Sequence, residues 1–378
     1  MLKILAICAA MMLAAAVIYG GEKNPADGGA QYMNILCYHQ FVNGSVFGKK
    51  DTYKISLPEF EKQLKFLGDN GYNVISMDDF LQFLDGRKKL PEKAVMITID
   101  DGYESVYTGA YPLLLKYKYP AAIFVYYKFI RPDEKSHENA LTVAQILEMK
   151  KSGLISVGCH SYSHEEPLTS RHKIKTDADY LAFLKCEIVT AKSSIEKTLG
   201  ISLETMAYPF GAYSTESNEF VKRAGFKAGF SVVPSYNTAA TDRFCLRRTI
   251  IYNSTNVARL KKILEKKPVA VVSVEPADGA VIDTPVLRLS AVIREDSMLN
   301  TATVHLRIGD IEFKNSDYDP ASKTVAHNYV KPVKNGLYLV SVQAKGLDGE
   351  NYEYAWMFMA GKKTGEKALA AALDSVKN

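Results

Sequence analysis

Residues 94–103, Ala-Val-Met-Ile-Thr-Ile-Asp-Asp-Gly-Tyr, constrain the chain more than any other stretch. An apolar, largely β-branched run of this length reads as a strand buried on both faces, and it ends at two adjacent carboxylates, Asp100 and Asp101. Neighbouring side chains on a strand point to opposite faces, but where the backbone turns both can aim into one cleft. Gly102 permits that turn. Taken alone, the acidic pair also fits a solvated loop cap.

The surroundings alternate strand and helix. Strands are expected over 33–38, 73–75, 94–99, 120–126, 155–159, 205–207, 227–232 and 245–251. Helices are expected over 56–70, 141–152, 177–199, 214–224 and 255–267, with Ser56 as an N-cap and Gly71, Gly153 and Gly200 as stops. A further amphipathic helix carries Phe80, Leu81, Phe83 and Leu84. Such alternation implies a parallel sheet with helices outside it, either doubly wound or closed into a barrel. After Pro268 the grammar changes to alternating runs at 269–274, 286–292, 302–308, 337–344 and 352–359. Turn signals at Asp278-Gly279, Gly309-Asp310, Asn335-Gly336 and Asp348-Gly349 separate them. This reads as an Ig-like β-sandwich of roughly one hundred residues. The expected organisation is therefore 31–267 as an α/β domain, 268–361 as the sandwich, and 362–378 as an Ala- and Lys-rich tail forming a weak or frayed helix.

The N-terminus reads as an export signal over 1–20, followed by a flexible leader over 21–30. Lys3 precedes an apolar run from 4 to 19 that is short for a membrane span, and Ala14, Ala16 and Gly20 offer small cleavage positions. A retained anchor is the alternative; export places the protein in the periplasm, or outside the cell or at its surface. Cys37, Cys159, Cys186 and Cys245 would remain, with neither zinc-ribbon nor disulfide-framework spacing, and Cys37 and Cys159 read as small buried hydrophobes. The formal charge of +5 over 378 residues is small and dispersed, which argues against a nucleic-acid partner.

Polar residues recur at the carboxyl ends of the expected strands: His39, Asp100-Asp101, His160 with His164, and Tyr208-Pro209-Phe210-Gly211. In parallel α/β folds that is where sites are built. Each alone fits a structural role. Together they supply the two-histidine, one-carboxylate set of a metal site with open positions.

The set resembles the polysaccharide deacetylase family, also called NodB-homology or carbohydrate esterase 4. Thr98-Ile99-Asp100-Asp101-Gly102 is similar to its Thr-Phe-Asp-Asp-Gly motif, His160-Ser161-Tyr162-Ser163-His164 to its His-Ser/Thr-x-x-His motif, and Tyr208 to Gly211 to its third. The resemblance covers about residues 33–266. It implies a distorted (β/α)7 barrel that removes acetyl groups from N-acetylated sugars. Asp101, His160 and His164 would bind one divalent ion, zinc first, with cobalt, nickel or iron also suited to the set. Asp100 would be the general base, and the Phe210 N–H would hold the oxyanion.

Two departures stand out. Ala207 occupies the place of the arginine that usually orients the base; Arg248 is the expected substitute, with Arg247 second. The late Leu-x-Ile-His motif that supplies the acid is missing after Arg248. His39 resembles the acid of the permuted members, including the poly-N-acetylglucosamine deacetylases, whose acid comes from the first strand. The implied substrate is an N-acetylated polysaccharide, poly-N-acetylglucosamine before peptidoglycan. An O-acetyl esterase acting on acetylated xylan, and a non-catalytic carbohydrate-binding protein associated with the cell surface through its sandwich, are the alternatives.

Overall fold

The computed structural model describes residues 31–376 except 47, 132–138, 284–286, 295, 314–316 and 330–332. The expected signal segment and leader lie outside the described residues.

The acidic run behaves as a central strand. With β1 at Tyr32–Tyr38, the strand β2 at Ala94–Ile99 is buried at all six positions. It pairs in parallel with β1 from Asn34↔Val95 to Tyr38↔Ile99, and on its other side with β3, Ala121–Val125. The order continues through β4, Ile155–Cys159, β5, Thr205–Ala207, and β6, Ala228–Phe230, every pairing parallel. The sheet curls into a half-barrel. Its open side is crossed by residues 246–250: Leu246 bridges Phe230, and β7, Thr249–Ile250, pairs with Leu36–Cys37 of β1. The expected strand over 245–251 is thus shorter but touches both edges. The crossing is tight at Gly229, where a Cβ would lie 2.9 Å from the Phe244 carbonyl oxygen.

The two-residue period of a strand sorts the side chains. Leu36, Val95, Ile97 and Ile99 join the core under the outer helices, including Phe60, Leu64 and Leu67 of α1, Leu57–Asp69. Met33, Ile35, Met96, Phe124, Phe230 and Leu246 point the other way and fill the inside of the curl with Phe80 and Phe83 of α2, Met77–Leu84. Continued to the strand ends, that inward parity reaches Cys37 and His39, Thr98 and Asp100, His160, and Arg248.

The expected helix over 177–199 is interrupted. A π-type turn at Cys186–Thr190 separates α3, Asp177–Lys185, from α4, Ala191–Leu199. The wider turn carries Glu187 to Ser163, where its carboxylate accepts from the backbone N–H at 3.0 Å and the hydroxyl at 2.6 Å.

After residue 267 two sheets enclose a second core. One includes β8, Val271–Glu275, β9, Leu287–Ile293, and β11, Thr324–Tyr329; the other β10, Leu299–Ile308, β12, Gly336–Gly346, and β13, Asn351–Ala360. Strand β11 was not legible in the sequence. Strand β13 serves two cores: Trp356 and Phe358 face the all-β one, whereas Ala355 and Met357 join the core of the half-barrel. The tail is docked rather than frayed. Its helix α5, Glu366–Asp374, buries Leu373 against that core, and Asp177 accepts from Gly365 N at 2.9 Å and Arg171 Nη2 at 2.7 Å.

Cys37, Cys159 and Cys245 are buried, Cys186 is half-buried, and none is in a disulfide. Among the described residues no helix is long and apolar enough to cross a membrane.

Candidate active site

Asp100 still belongs to the sheet, its N–H donating to the Tyr38 carbonyl at 2.9 Å, so its side chain follows the inward parity. There it meets Arg248, which is completely buried. Nη1 lies 2.7 Å from Oδ1 and Nη2 2.7 Å from Oδ2, a bidentate pair. The guanidinium is itself held by the Ser231 carbonyl, 2.8 Å from Nε, and by Thr98 Oγ1, 3.2 Å from Nη1. Cys37 Sγ sits 3.4 Å from Asp100 Oδ2. Burial opposes ionisation of Asp100, but the charges of Arg248 and then His160 outweigh it and hold the carboxyl below its ordinary value.

Asp101 breaks the parity. Its φ is 74° and that of Gly102 is 86°, so the chain turns left-handed and swings the second carboxylate back into the cleft. Aspartate is among the few residues that enter this region readily. Gly102 is also sterically confined, since a Cβ there would meet Val125 Cγ1 at 3.0 Å.

His160 and His164 complete the cluster. The His160 N–H continues the ladder to the Val125 carbonyl at 2.8 Å, and its ring Nδ1 lies 2.8 Å from the Ala207 carbonyl. That carbonyl can only accept, so Nδ1 carries the proton in the neutral ring and Nε2 presents a lone pair. His164 is brought round by positive φ values at Ser161 (79°) and His164 (63°), and its N–H donates to Ser161 Oγ at 2.9 Å. Asp101 Oδ1 then lies 3.4 Å from His160 Nε2 and 3.2 Å from His164 Nε2. It is buried and has no partner in hydrogen-bond geometry among the described residues.

This arrangement fits a divalent cation. Two imidazole nitrogens and a carboxylate oxygen, all within 4.8 Å of one another, converge instead of pairing off. Burial works against charging either group, yet the carboxylates raise His160 and the two imidazoles hold Asp101 well below the carboxylate range. The field of this cluster therefore favours positive charge at its centre. Cys37, His39 and Asp100 also gather ligand atoms, but Asp100 has both oxygens engaged by Arg248.

His39 stands at the mouth of the curl, with a buried Nδ1 that has no hydrogen-bond partner among the described residues. Burial lowers its pKa, against the raising effect of Asp100 and Asp101. Phe210 occupies a left-handed turn, φ 58° and ψ 9°; the residue is 56% exposed, and its ring lies 4.9 Å from that of His164. Gly211 jams this turn against residue 232, since a Cβ would lie 2.5 Å from the Val232 nitrogen.

Of the eight residues singled out in the sequence, seven — His39, Asp100, Asp101, His160, His164, Phe210 and Arg248 — lie around one cleft. Arg247 does not: the parity sends it outward. Sequence reading missed the supports Thr98, Cys37 and Ser231, and the aromatic rim. Tyr53, half exposed, packs 5.1 Å from His39 and 5.8 Å from Tyr252, while Tyr126 packs 5.1 Å from His164. Thr98 and Cys37 could have been found from their inward parity. Tyr53 reaches the site through a loop and carries no such signal.

Comparison with known proteins agrees with this geometry. The sequence profile of the family described as polysaccharide deacetylase matches residues 87–229. YxkH of Bacillus subtilis, named as a polysaccharide deacetylase, is 30% identical over 216 residues, covering 57% of this chain and 69% of that protein. A poly-β-1,6-N-acetyl-D-glucosamine N-deacetylase of Staphylococcus aureus is 27% identical over 200 residues, or 53% of this chain and 68% of that one. Among solved structures, IcaB from Ammonifex degensii superposes with a TM-score of 0.53 at 26% identity, covering 62% of this chain and 97% of that one. The de-N-acetylase from Aggregatibacter actinomycetemcomitans shares the fold at a TM-score of 0.55 and 24% identity, covering 62% of this chain and all of that one. The chain belongs to the polysaccharide deacetylase family and is a hydrolytic enzyme of that family.

Proposed function

We propose that this enzyme removes N-acetyl groups from an N-acetylglucosamine polysaccharide outside the cytoplasm, with poly-N-acetylglucosamine as first substrate and peptidoglycan as second. The observation that carries the reading is the convergence of Asp101, His160 and His164 beside an Asp100 whose two oxygens are both bound by Arg248. The relatives named above support the choice of polymer, and so does an acid candidate, His39, on the first strand.

Asp101 Oδ1 with the Nε2 atoms of His160 and His164 would hold the cation, zinc first. Bound there, a divalent ion supplies Lewis-acid polarisation of the acetamide carbonyl and of an attacking water. Asp100 takes the proton of that water, its carboxylate aimed and kept ionised by Arg248. The Phe210 N–H donates to the oxyanion that develops on the former carbonyl oxygen. His39, in the imidazolium form that the neighbouring Asp100 and Asp101 favour, would deliver its proton to the departing amine, which is a poor leaving group until protonated, and be left neutral. Tyr53, Tyr252 and Phe210 present ring faces to the sugars on either side of the scissile amide.

The domain reading that goes with this function takes 31–267 as the deacetylase unit, with 246–250 completing a distorted seven-stranded barrel. Residues 268–361 are an Ig-like sandwich and 362–378 a tail whose helix, Glu366–Asp374, docks on the deacetylase unit, and the whole is exported by its N-terminal segment. Acetate release from a panel of poly-N-acetylglucosamine, chitin oligomers, peptidoglycan and acetylxylan tests the assignment. Release from the first with metal-dependent turnover is expected. Release from acetylxylan alone would overturn it.

A further inference from the structure

Arg247 and Arg248 are consecutive, and the strand period sends them opposite ways. Arg248 points into the curl at Asp100. Arg247 points out, into the joint with the all-β region, where its side chain and that of Asp278 are each only 7% exposed. Both Nη atoms lie 3.2 Å from Asp278 Oδ2, and Nη2 lies 2.8 Å from the Tyr354 hydroxyl. The guanidinium also stacks on the Tyr354 ring, 4.9 Å from its centroid. Its backbone is clasped too: the Asn237 side chain accepts from Arg247 N at 2.8 Å and donates to its carbonyl at 2.9 Å.

The other oxygen of Asp278 reaches a second segment of the site. Oδ1 accepts from the Tyr213 hydroxyl and from Met357 N, the latter at 3.1 Å on β13. Gly279 packs on the Tyr213 ring so closely that a Cβ would lie 2.9 Å from Cε2, and its carbonyl accepts from Thr215 N at 3.2 Å. Tyr213 follows the Phe210–Gly211 turn by two residues. One turn of the all-β region therefore grips both the segment that supplies Arg248 and the segment that supplies Phe210.

We propose that Asp278 is a positioning residue for the deacetylation reaction, acting through Arg247 on Arg248 and through Tyr213 on the Phe210 turn, so that the all-β region buttresses the active site from behind. The inference rests on the roles given above to Arg248 and Phe210. Orientation of reacting groups is steeply penalised, and a displacement of about 1 Å costs up to roughly 10²-fold in rate. The cation-holding residues Asp101, His160 and His164 follow β2 and β4, and among the described residues this turn bonds to none of them, so buttressing and metal retention can be read apart.

The test is Asp278→Asn in the full-length enzyme, compared with wild type and with Lys267→Ala, which removes an exposed inter-region ion pair to Asp348. The expected result is a fall in kcat of about tenfold with KM and bound metal little changed. Lys267→Ala should leave kcat as it is. Combined with Arg248→Lys, the loss should be clearly less than the product of the single losses, because both act on one guanidinium. Hydrogen exchange should rise at 246–250 and 208–213 and not at 99–103. Should Asp278→Asn not fold, Tyr354→Phe removes a single bond to Arg247 and should give the same pattern with a smaller loss. Unchanged kcat, a multiplicative combination with Arg248→Lys, or loss of metal each overturns the proposal. Absence of acetate release from wild type would count against the functional reading instead, and the exchange pattern would still report on the buttress.

Discussion

Asp100 and Asp101 are neighbours in the chain and opposites in the structure. Asp100 remains in the sheet, with Arg248 on both oxygens and Cys37 close by. Asp101 has left the sheet through a left-handed turn, and its buried Oδ1 faces two imidazole nitrogens with no partner in hydrogen-bond geometry among the described residues. One carboxylate has both oxygens held and the other is left open. The side chains are chemically identical, so the difference comes from the backbone and from what each meets. An open carboxylate between two ring nitrogens suits a cation. A carboxylate fixed at both oxygens by a buried arginine suits a proton acceptor that must not drift onto the cation.

The sharpest way to break this contrast is Asp101→Asn. It should lower bound metal in the purified protein and cut acetate release by on the order of 10³-fold or more, since without the cation neither the acetamide carbonyl nor the attacking water is polarised, although Asp100 stays in place. Unchanged metal and rate would end the distinction. Asp100→Asn should cut kcat by roughly 10²–10⁴-fold while metal content holds, as read by turnover and elemental analysis of one preparation. Loss of metal as well would put both carboxylates on the same side.

Next in size, His39→Ala should slow amide hydrolysis by about 10²-fold and leave an activated acetyl ester within a few-fold, because only the amine needs protonating. Equal losses on both substrates would remove His39 from proton delivery. Tyr53→Ala should raise KM for oligomers about two- to tenfold with kcat unchanged, the scale of one lost ring contact; a kcat effect alone would mean that Tyr53 serves His39 rather than sugar.

The smallest effect is on stability. A carboxyl held below its ordinary pKa stabilises the fold fully above about pH 4, and this is lost as pH falls through the lower folded value. Asp100→Asn should therefore flatten the acid-side fall in unfolding free energy, measured by urea titration across that range. An unaltered slope would show that Arg248 does not hold Asp100 ionised.

Much of this was legible in the residues. An apolar, β-branched run such as 94–99 cannot be left half exposed, so its place at the centre of a parallel sheet follows from hydrophobicity. The strand ends carrying His39, Asp100 and His160 follow from local pattern in the same way. The interruption at 186–190 was hidden because a π-type turn keeps helical composition; what it answers is Ser163, over twenty residues away in the chain. The docked tail was hidden as well. Its composition is that of a marginal helix, and its anchors Asp177 and Arg171 are remote in sequence. The shortening of 245–251 has a similar cause, since Asn237 occupies the backbone of Arg247 that a longer strand would have paired.

By itself, the sequence determined the alternation of elements, the change of grammar after Pro268, and the residue types gathered at the strand ends. Local propensity and two-residue periodicity act over a few neighbours, and a single chain records them directly. The family resemblance set Arg248 and Asp101 down as expectations, but the tertiary structure alone decided that Arg248 reaches both oxygens of Asp100, how the backbone leaves Asp101 open, and that Asp278 reaches behind the site. These depend on the curl of a sheet that brings residues 148 positions apart within 2.7 Å, a distance no local pattern encodes.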